Sequence, residues 1–301
     1  MTRTPERQTP STAPRLPRLT RAAAPLTHAV QAVNERGERE ELHIPAERPL
    51  TVYVDRRELV TLMTLGAHPE LLVLGYLRNQ RLVDSADEIE SVTVDWEVNA
   101  AAVVTRRGIA RIEERTARKV VTTGCGQGSV FGGLMDEIDD IRLPGDARLT
   151  QGQLYGLLDA IRLQETTYKS AGSVHGCALF QGERMLMFVE DVGRHNAIDT
   201  IAGWMWLQDP ARMAGDDKVF YTTGRLTSEM IIKAAQMGIP IVVSRSGITQ
   251  MGFELAERLG LCAIGRATNK HFLCYTAPWR LVLQPELATA PRPVRAAPQD
   301  A

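Results

Sequence analysis

The chain has 301 residues, 44% of them hydrophobic, with 35 Lys and Arg against 36 Asp and Glu and a formal net charge of −1. That is length enough for one large or two modest cores, and the balanced charge excludes bulk attraction to nucleic acid or to a membrane surface. No apolar run approaches the roughly 18 residues of a membrane span, and the opening "MTRTPERQTPSTAPRLPRLTR" has no apolar stretch of the secretory type, so a cytoplasmic protein is expected. Cys125, Cys177, Cys262 and Cys274 form no CxxC pair, which points away from disulfides and structural zinc.

Residues 1–27 read as a disordered basic arm, with five arginines against one glutamate among Pro, Thr and Ser. A smaller α+β domain is expected over 28–148. In it "RPLTVYV" reads as a strand. Asp55, with Glu58 three residues on, reads as the capped start of a helix through Leu59, Leu62, Met63 and Leu65 to Gly66. Pro69 opens a second helix, "PELLVLGYLRN". "SVTVDWEV" alternates as a strand and "AAVVTRRGIARI" pairs with it. "ARKVVTT" leads into the glycine-rich loop around Cys125, and the acidic "DEIDDIRLPGD" is a connector.

An α/β domain is expected over 149–283. Thr150 and Gln153 cap a helix running to about Gln164. "SVHGCALF" and "RMLMFVE" form a hairpin across "QGE", and "NAIDTIAGWMW" is a helix. Then "KVFYTT", "IPIVVS" and "LCAIG" are strands separated by the helices "TSEMIIKAAQM" and "TQMGFELAERL". Strands alternating with helices of this length predict crossovers and a partly parallel sheet covered on both faces. Residues 284–301 read as a fraying tail.

Polar clusters fall at the predicted strand ends, where α/β sheets bind ligands. "EDVGRHNAID" gathers Glu190, Asp191, Arg194, His195 and Asn196 at a helix entrance. "TTGRLTSE" brings Arg225, "SRSGIT" brings Arg245 and Ser246, and "GRATNKH" brings Arg266, Ala267, Thr268, Asn269, Lys270 and His271. Arginines, hydroxyls and helix N-termini in one crevice suit a phosphate-rich ligand. Each cluster also has a plain reading: Ser/Thr before a helix is ordinary capping, His195 can bond Asp191, and His175 can be a satisfied core histidine. Cys177, Cys262 and Cys274 read as small hydrophobes. Cys125 differs, because Gly124, Gly126 and Gly128 strip its surroundings and leave a loop able to hinge. On composition alone it is either a functional thiol or part of a tight turn.

"TTGCGQGS", "SVHGCALF", "EDVGRHNAID", "TTGRLTSEMIIKAAQMGIPIVVSRSGIT" and "AERLGLCAIGRATN" together, over about Glu47 to Tyr275, resemble the formate dehydrogenase accessory sulfurtransferases, the FdhD sulfur carriers. The resemblance implies a cytidine-deaminase-like three-layer sheet domain with a smaller α+β N-terminal domain, and a homodimer. It also implies transfer of persulfide sulfur from a cysteine desulfurase to the bis-molybdopterin guanine dinucleotide cofactor destined for the formate dehydrogenase catalytic subunit. The persulfide cysteine corresponds to Cys125 and the guanine-nucleotide pocket most directly to Arg266–His271. Arg194, His195, Arg225 and Ser246 are weaker candidates for ligand contacts.

One departure stands out. Many members carry C-G-x-C-G, whereas Gly128 holds the second cysteine position here. Either one thiol suffices, or this is a divergent member that binds the cofactor without efficient transfer. A non-catalytic cofactor chaperone is the alternative function. A rhodanese-like activity on small sulfur donors is a further one. A zinc deaminase would want H-x-E with P-C-x-x-C, and neither occurs.

Overall fold

The computed structural model describes residues 15–109, 120–121, 128–129, 138–164, 166–208 and 213–288. Its larger sheet follows from apolar side chains alternating on central strands. The strands are β11 (His175–Gln181), β12 (Arg184–Asp191), β13 (Lys218–Thr222), β14 (Ile241–Ser244), β15 (Cys262–Thr268) and β16 (His271–Cys274), in the order β12-β11-β13-β14-β15-β16. β13, β14 and β15 run parallel, and the pairs β11–β12, β11–β13 and β15–β16 are antiparallel. Cys177, Leu179, Phe220, Val242 and Ala263 face one core. Their neighbours Ala178, Phe180, Val219, Tyr221, Ile241 and Val243 face the other. Period-two alternation thus serves two apolar layers at once.

Three helices cover the first face: α4 (Arg194–Trp206), α5 (Ser228–Gln236) and α6 (Gln250–Leu259). The second face is covered by α2 (Gln151–Leu163), which begins where β10 (Leu149–Thr150) pairs in parallel with β17 (Leu281–Val282). The expected Thr150–Gln153 capping box is present. A short helix, α3 (Thr167–Ala171), leads from α2 into β11.

The second sheet has the order β1-β6-β7-β4-β5, made of β1 (Arg18–Leu19), β4 (Arg48–Val54), β5 (Arg57–Thr64), β6 (Ile89–Asp95) and β7 (Ala100–Thr105), with α1 (Pro69–Asn79) on its apolar face. Two expectations are corrected here. The helix placed from Asp55 is the strand β5. Asp55 and Arg56, at φ 47° and 71°, form a two-residue hairpin turn, and the Asp55 carboxylate accepts from Thr105 instead of capping a helix. A register irregularity where Val52 meets Val60 and Tyr53 meets Glu58 leaves Leu59 as an extra residue. Such a bulge sets Leu59 and Leu62 on the same apolar side at a spacing that imitates a helix. Within the arm placed at 1–27, residues 15–27 are built into the fold: β1 pairs in parallel with β6, and Thr20 Oγ1 and Ala22 N each donate to Glu70 Oε1 at 2.6 Å. An exposed hairpin of β2 (Thr27–Val33) and β3 (Arg39–Pro45) follows, which the sequence pattern did not announce. The tail placed at 284–301 starts in contact with the fold, since Gln284 exchanges hydrogen bonds with Gln151 and Gly152. Residues 1–14 and 289–301 lie outside the described residues.

The two sheets meet through α1 and α4. A Cβ on Gly75 would sit 1.6 Å from Asp199 O, and one on Gly203 would sit 2.0 Å from Leu71 O. Only glycine lets these backbones approach so closely. Asp191 adds a polar knot at the end of β12. One carboxylate oxygen accepts from Thr64 Oγ1 (2.5 Å) and Leu65 N (3.0 Å), the other from Gly193 N (3.0 Å) and Asn196 Nδ2 (2.7 Å), and Asn196 also donates to Met63 O.

Candidate functional site

A cleft of about 690 Å³ opens at the carboxyl ends of β13, β14 and β15, between the sheet and the layer of α2 and α3. Its floor is built from strand ends: His175 and Gly176 of β11, Phe188 and Glu190 of β12, and Tyr221 of β13. Ala267 and Thr268 at the end of β15, and Thr223, Arg245, Ser246 and Asn269 just beyond the parallel strands, extend it. The opposing wall comes from α2 with Leu158, Asp159, Ile161 and Arg162, and from Thr166, Tyr168 and Lys169 around α3. Aromatic surfaces therefore stand beside cationic side chains and hydroxyls, which suits a planar ring joined to an anionic group.

Local chemistry holds each wall in place. Glu190 accepts from the backbone N–H of Thr167 (2.5 Å) and Tyr168 (3.2 Å), so its carboxylate anchors the start of α3 to the sheet. Arg266 and Asn269 adopt positive φ (51° and 53°), and Arg266 N donates to Ser246 O at 2.7 Å, which turns the β15–β16 loop toward the cleft. Gly265 is required there, since a Cβ would meet the Tyr275 ring at 2.7 Å and Ser246 O at 2.9 Å. Tyr155 donates to Lys270 O at 3.1 Å, tying α2 to the same loop. Burial, with the charges of Arg194 and Arg225 nearby, lowers the His175 pKa below its ordinary value. At neutral pH His175 thus presents an uncharged imidazole to the cleft, with Nδ1 at 3.4 Å from Thr223 Oγ1.

The sequence-derived candidates divide. Ser246, Ala267, Thr268 and Asn269 line the cleft. Arg266 in β15, Lys270 in the turn and His271 at the start of β16 are exposed on the same hairpin but outside the lining, and Arg225 is exposed in the loop after β13. Arg194 and His195 lie beneath the floor, 6% and 4% exposed. Arg194 packs its stem where a Cβ on Gly224 would fall, 2.6 Å from Cδ. The expected His195–Asp191 bond is replaced. His195 Nε2 faces Glu229 Oε2 at 3.3 Å, too poorly aligned for a hydrogen bond, and burial with Lys233 lowers its pKa to about 3. Glu229 and Asp199 both contact Lys233, at 3.5 and 2.8 Å, and Asn79 Nδ2 donates to Asp199 at 2.7 Å. Burial works against the Lys233 charge, but the two carboxylates outweigh it and hold its pKa above the ordinary value. These groups form a buried joint between α1, α4 and α5, not a ligand shell.

Cys125, Gly124 and Gly126 lie outside the described residues. On either side of them β8 (Val120–Val121) pairs antiparallel with β9 (Gly128–Ser129), so Gly128 sits opposite Val121 in a strand rather than in the open hinge expected of it. His175, Tyr168, Lys169 and the residues of α2 are the lining that strand-end reasoning missed. Only the charged pair Asp159 and Arg162, the charged residues of that helix, hinted at it.

Residues 45–282 match the model of the FdhD/NarQ family. A sulfur carrier protein FdhD of Bacillus subtilis is 31% identical over 235 residues, 78% of this chain and 88% of that protein. The protein of that name from Geobacillus kaustophilus is 28% identical over 250 residues, 83% of this chain and 94% of its own. Among solved structures, a formate dehydrogenase accessory protein from Desulfotalea psychrophila superposes with a TM-score of 0.69 at 25% identity, covering 86% of this chain and 100% of that one. No helix among the described residues is long and apolar enough to cross a membrane.

Proposed function

This chain belongs to the FdhD/NarQ family, and from that premise we propose that it carries sulfur for formate dehydrogenase maturation, accepting it on Cys125 from a cysteine desulfurase and passing it to the bis-molybdopterin guanine dinucleotide cofactor. The sulfur-carrier role is the one its relatives' names state. Loading is thiol exchange: the Cys125 thiolate attacks the outer sulfur of the donor persulfide, the S–S bond breaks, and the donor cysteine leaves as thiolate. The reaction consumes no oxidant or reductant, and one thiol is enough for it. That supports function in spite of Gly128 in the second cysteine position.

The observation that carries the cofactor assignment is the cleft. Arg245, Ser246 and Thr268 offer donors to phosphate oxygens, while Phe188, Tyr168 and Tyr221 offer faces to a purine. At about 690 Å³ it has the size of a small-molecule site, with room for one nucleotide arm of the cofactor rather than the whole. The same reading takes residues 149–283 as a cytidine-deaminase-like domain and 28–148 as the smaller domain. The sheet order, with helices on both faces, and the separate apolar core around α1 support it. It also takes the protein to be a cytoplasmic homodimer that hands the loaded cofactor to the formate dehydrogenase catalytic subunit.

The test has two parts. Incubation with a cysteine desulfurase and cysteine, followed by mass spectrometry, is expected to add one sulfur at Cys125. Cys125→Ala is expected to abolish both that gain and formate dehydrogenase activation in a strain lacking its own sulfur carrier. Activation by Cys125→Ala would overturn sulfur transfer and leave a cofactor chaperone.

A further inference from the structure

Besides the Cys125 thiol, the chain holds two sulfur atoms in contact with each other on the larger sheet. Cys262 opens β15 and Cys274 closes β16, and their Sγ atoms lie 3.8 Å apart across the antiparallel ladder in which Cys274 stands opposite Ile264. Both are free thiols. A disulfide needs an S–S distance of about 2.05 Å, so bridging asks for roughly 1.8 Å of approach between two side chains that already touch.

The two thiols have unequal surroundings. Cys262 is fully buried, and Cys274, on the outer strand of the sheet, is half-buried. Either sulfur can donate across this contact, and as a thiol Cys274 also donates to Thr276 O at 3.4 Å; with Cys262 as donor, the contact favours charge on the Cys274 sulfur and lowers its pKa against the opposing effect of burial. The same contact and burial push the Cys262 thiol up. One accessible, more acidic thiol backed by one buried, protonated thiol is the arrangement in which the first reacts and the second resolves.

We propose that Cys262 and Cys274 form a redox-active dithiol, a modification site at which oxidation staples the base of the β15–β16 hairpin. The oxidant class is a hydroperoxide. The Cys274 thiolate attacks the terminal peroxide oxygen, the O–O bond breaks, and the other oxygen leaves as alkoxide (hydroxide from hydrogen peroxide), taking up the proton that the Cys274 thiol released on ionising to give alcohol or water and Cys274 sulfenic acid. Cys262 sulfur then attacks the Cys274 sulfur; the S–O bond breaks, and the departing hydroxide takes the Cys262 proton as water. Two thiols lose two electrons, and the peroxide is reduced by two. The staple closes residues 262–274, the segment whose tip supplies Ala267, Thr268 and Asn269 to the cleft. Oxidation of this pair thus acts on the ligand-binding hairpin, and it does so whether or not Cys125 carries sulfur.

The experiment treats the full reduced chain with stoichiometric hydrogen peroxide, alkylates the remaining thiols and maps the digest by mass spectrometry. The expected result is a Cys262–Cys274 cross-linked fragment that dithiothreitol reverses. In Cys262→Ala, the expected result is Cys274 sulfenic acid, trapped by dimedone. The cross-link in the unsubstituted chain needs no variant, so the proposal stays testable even where Cys262→Ala fails to fold. Full alkylation of Cys262 and Cys274 after peroxide, or a cross-link that joins either of them to Cys125 or Cys177 instead, overturns it.

Discussion

The glycine contact between α1 and α4 yields a prediction whose sign, not only its size, is at stake. In Gly203→Ala the added methyl would lie 2.0 Å from Leu71 O and 2.8 Å from Gly75 N. Ordinary carbon–oxygen contact is about 3.3 Å, so the helices would have to part by roughly 1.3 Å. Both obstructing atoms are backbone, so no rotamer change relieves them, and overpacking of this kind costs about 3 kcal/mol, the upper end of its usual range. Helix propensity works the other way, because Ala in a helix interior gains about 1 kcal/mol over Gly. The net expectation is a loss of about 2 kcal/mol. At a urea slope of about 3 kcal/mol/M for a chain of this length, the unfolding midpoint falls by about 0.7 M. Gly145→Ala is the control, since nothing lies within 4 Å of the added carbon and its φ is ordinary. A Gly203→Ala midpoint equal to or above that of the parent would refute the argument, because propensity alone would then have decided the outcome.

Three further outcomes are expected. Lys233→Met leaves Asp199 and Glu229 buried without their shared cation and is expected to cost about 3–5 kcal/mol, read as a lowered thermal midpoint. For His195 the folded pKa is about 3 against 6.5 unfolded, so below pH 6.5 the unfolded chain binds a proton that the folded chain refuses, and stability falls with pH. From pH 7 to pH 5 the parent is expected to lose about 2 kcal/mol more than His195→Gln. The comparison with the variant isolates the histidine from Asp191 and Asp199, whose burial-raised pKa values push stability the opposite way; equal pH slopes would count against a neutral His195. Arg245→Gln is expected to weaken binding of guanosine diphosphate about tenfold by calorimetry, the loss of one charge-assisted hydrogen bond, and unchanged affinity would remove Arg245 from the ligand's reach.

Much of the larger sheet was legible because its signals are local. The short apolar, β-branched runs in "KVFYT" and "IVVS", Thr150 with Gln153, and Gly260 in the left-handed conformation after α6 each act within a few residues. β5 was misread because a bulge at Leu59 gives a strand the apolar spacing of a helix, and the positive φ of Asp55 and Arg56 is not one a residue-by-residue propensity reveals. β1 escaped because its stability comes from β6, more than seventy residues away. At the site, the strand-end rule found Ser246 and Ala267–Asn269, but it is silent about the helical layer, and so it missed the α2 and α3 wall. It placed Arg194 and His195 beside the ligand for their chemistry. The neighbours that claim them, Gly224 and Glu229, lie on a loop and helix encoded further on.

The pairing of β10 with β17 sets an order on biosynthesis. The helix that walls the cleft starts directly after Thr150, yet the partners of its first turn are Val282, opposite Thr150, and Gln284, which grips Gln151 and Gly152. Until residues 281–284 are made, α2 can pack on the sheet and bond Lys270, but its first turn lacks these partners. The entrance to the cleft wall is therefore among the last parts of the molecule to be fixed, and a chain terminated before Leu281 would carry the parallel strands with the start of α2 unanchored.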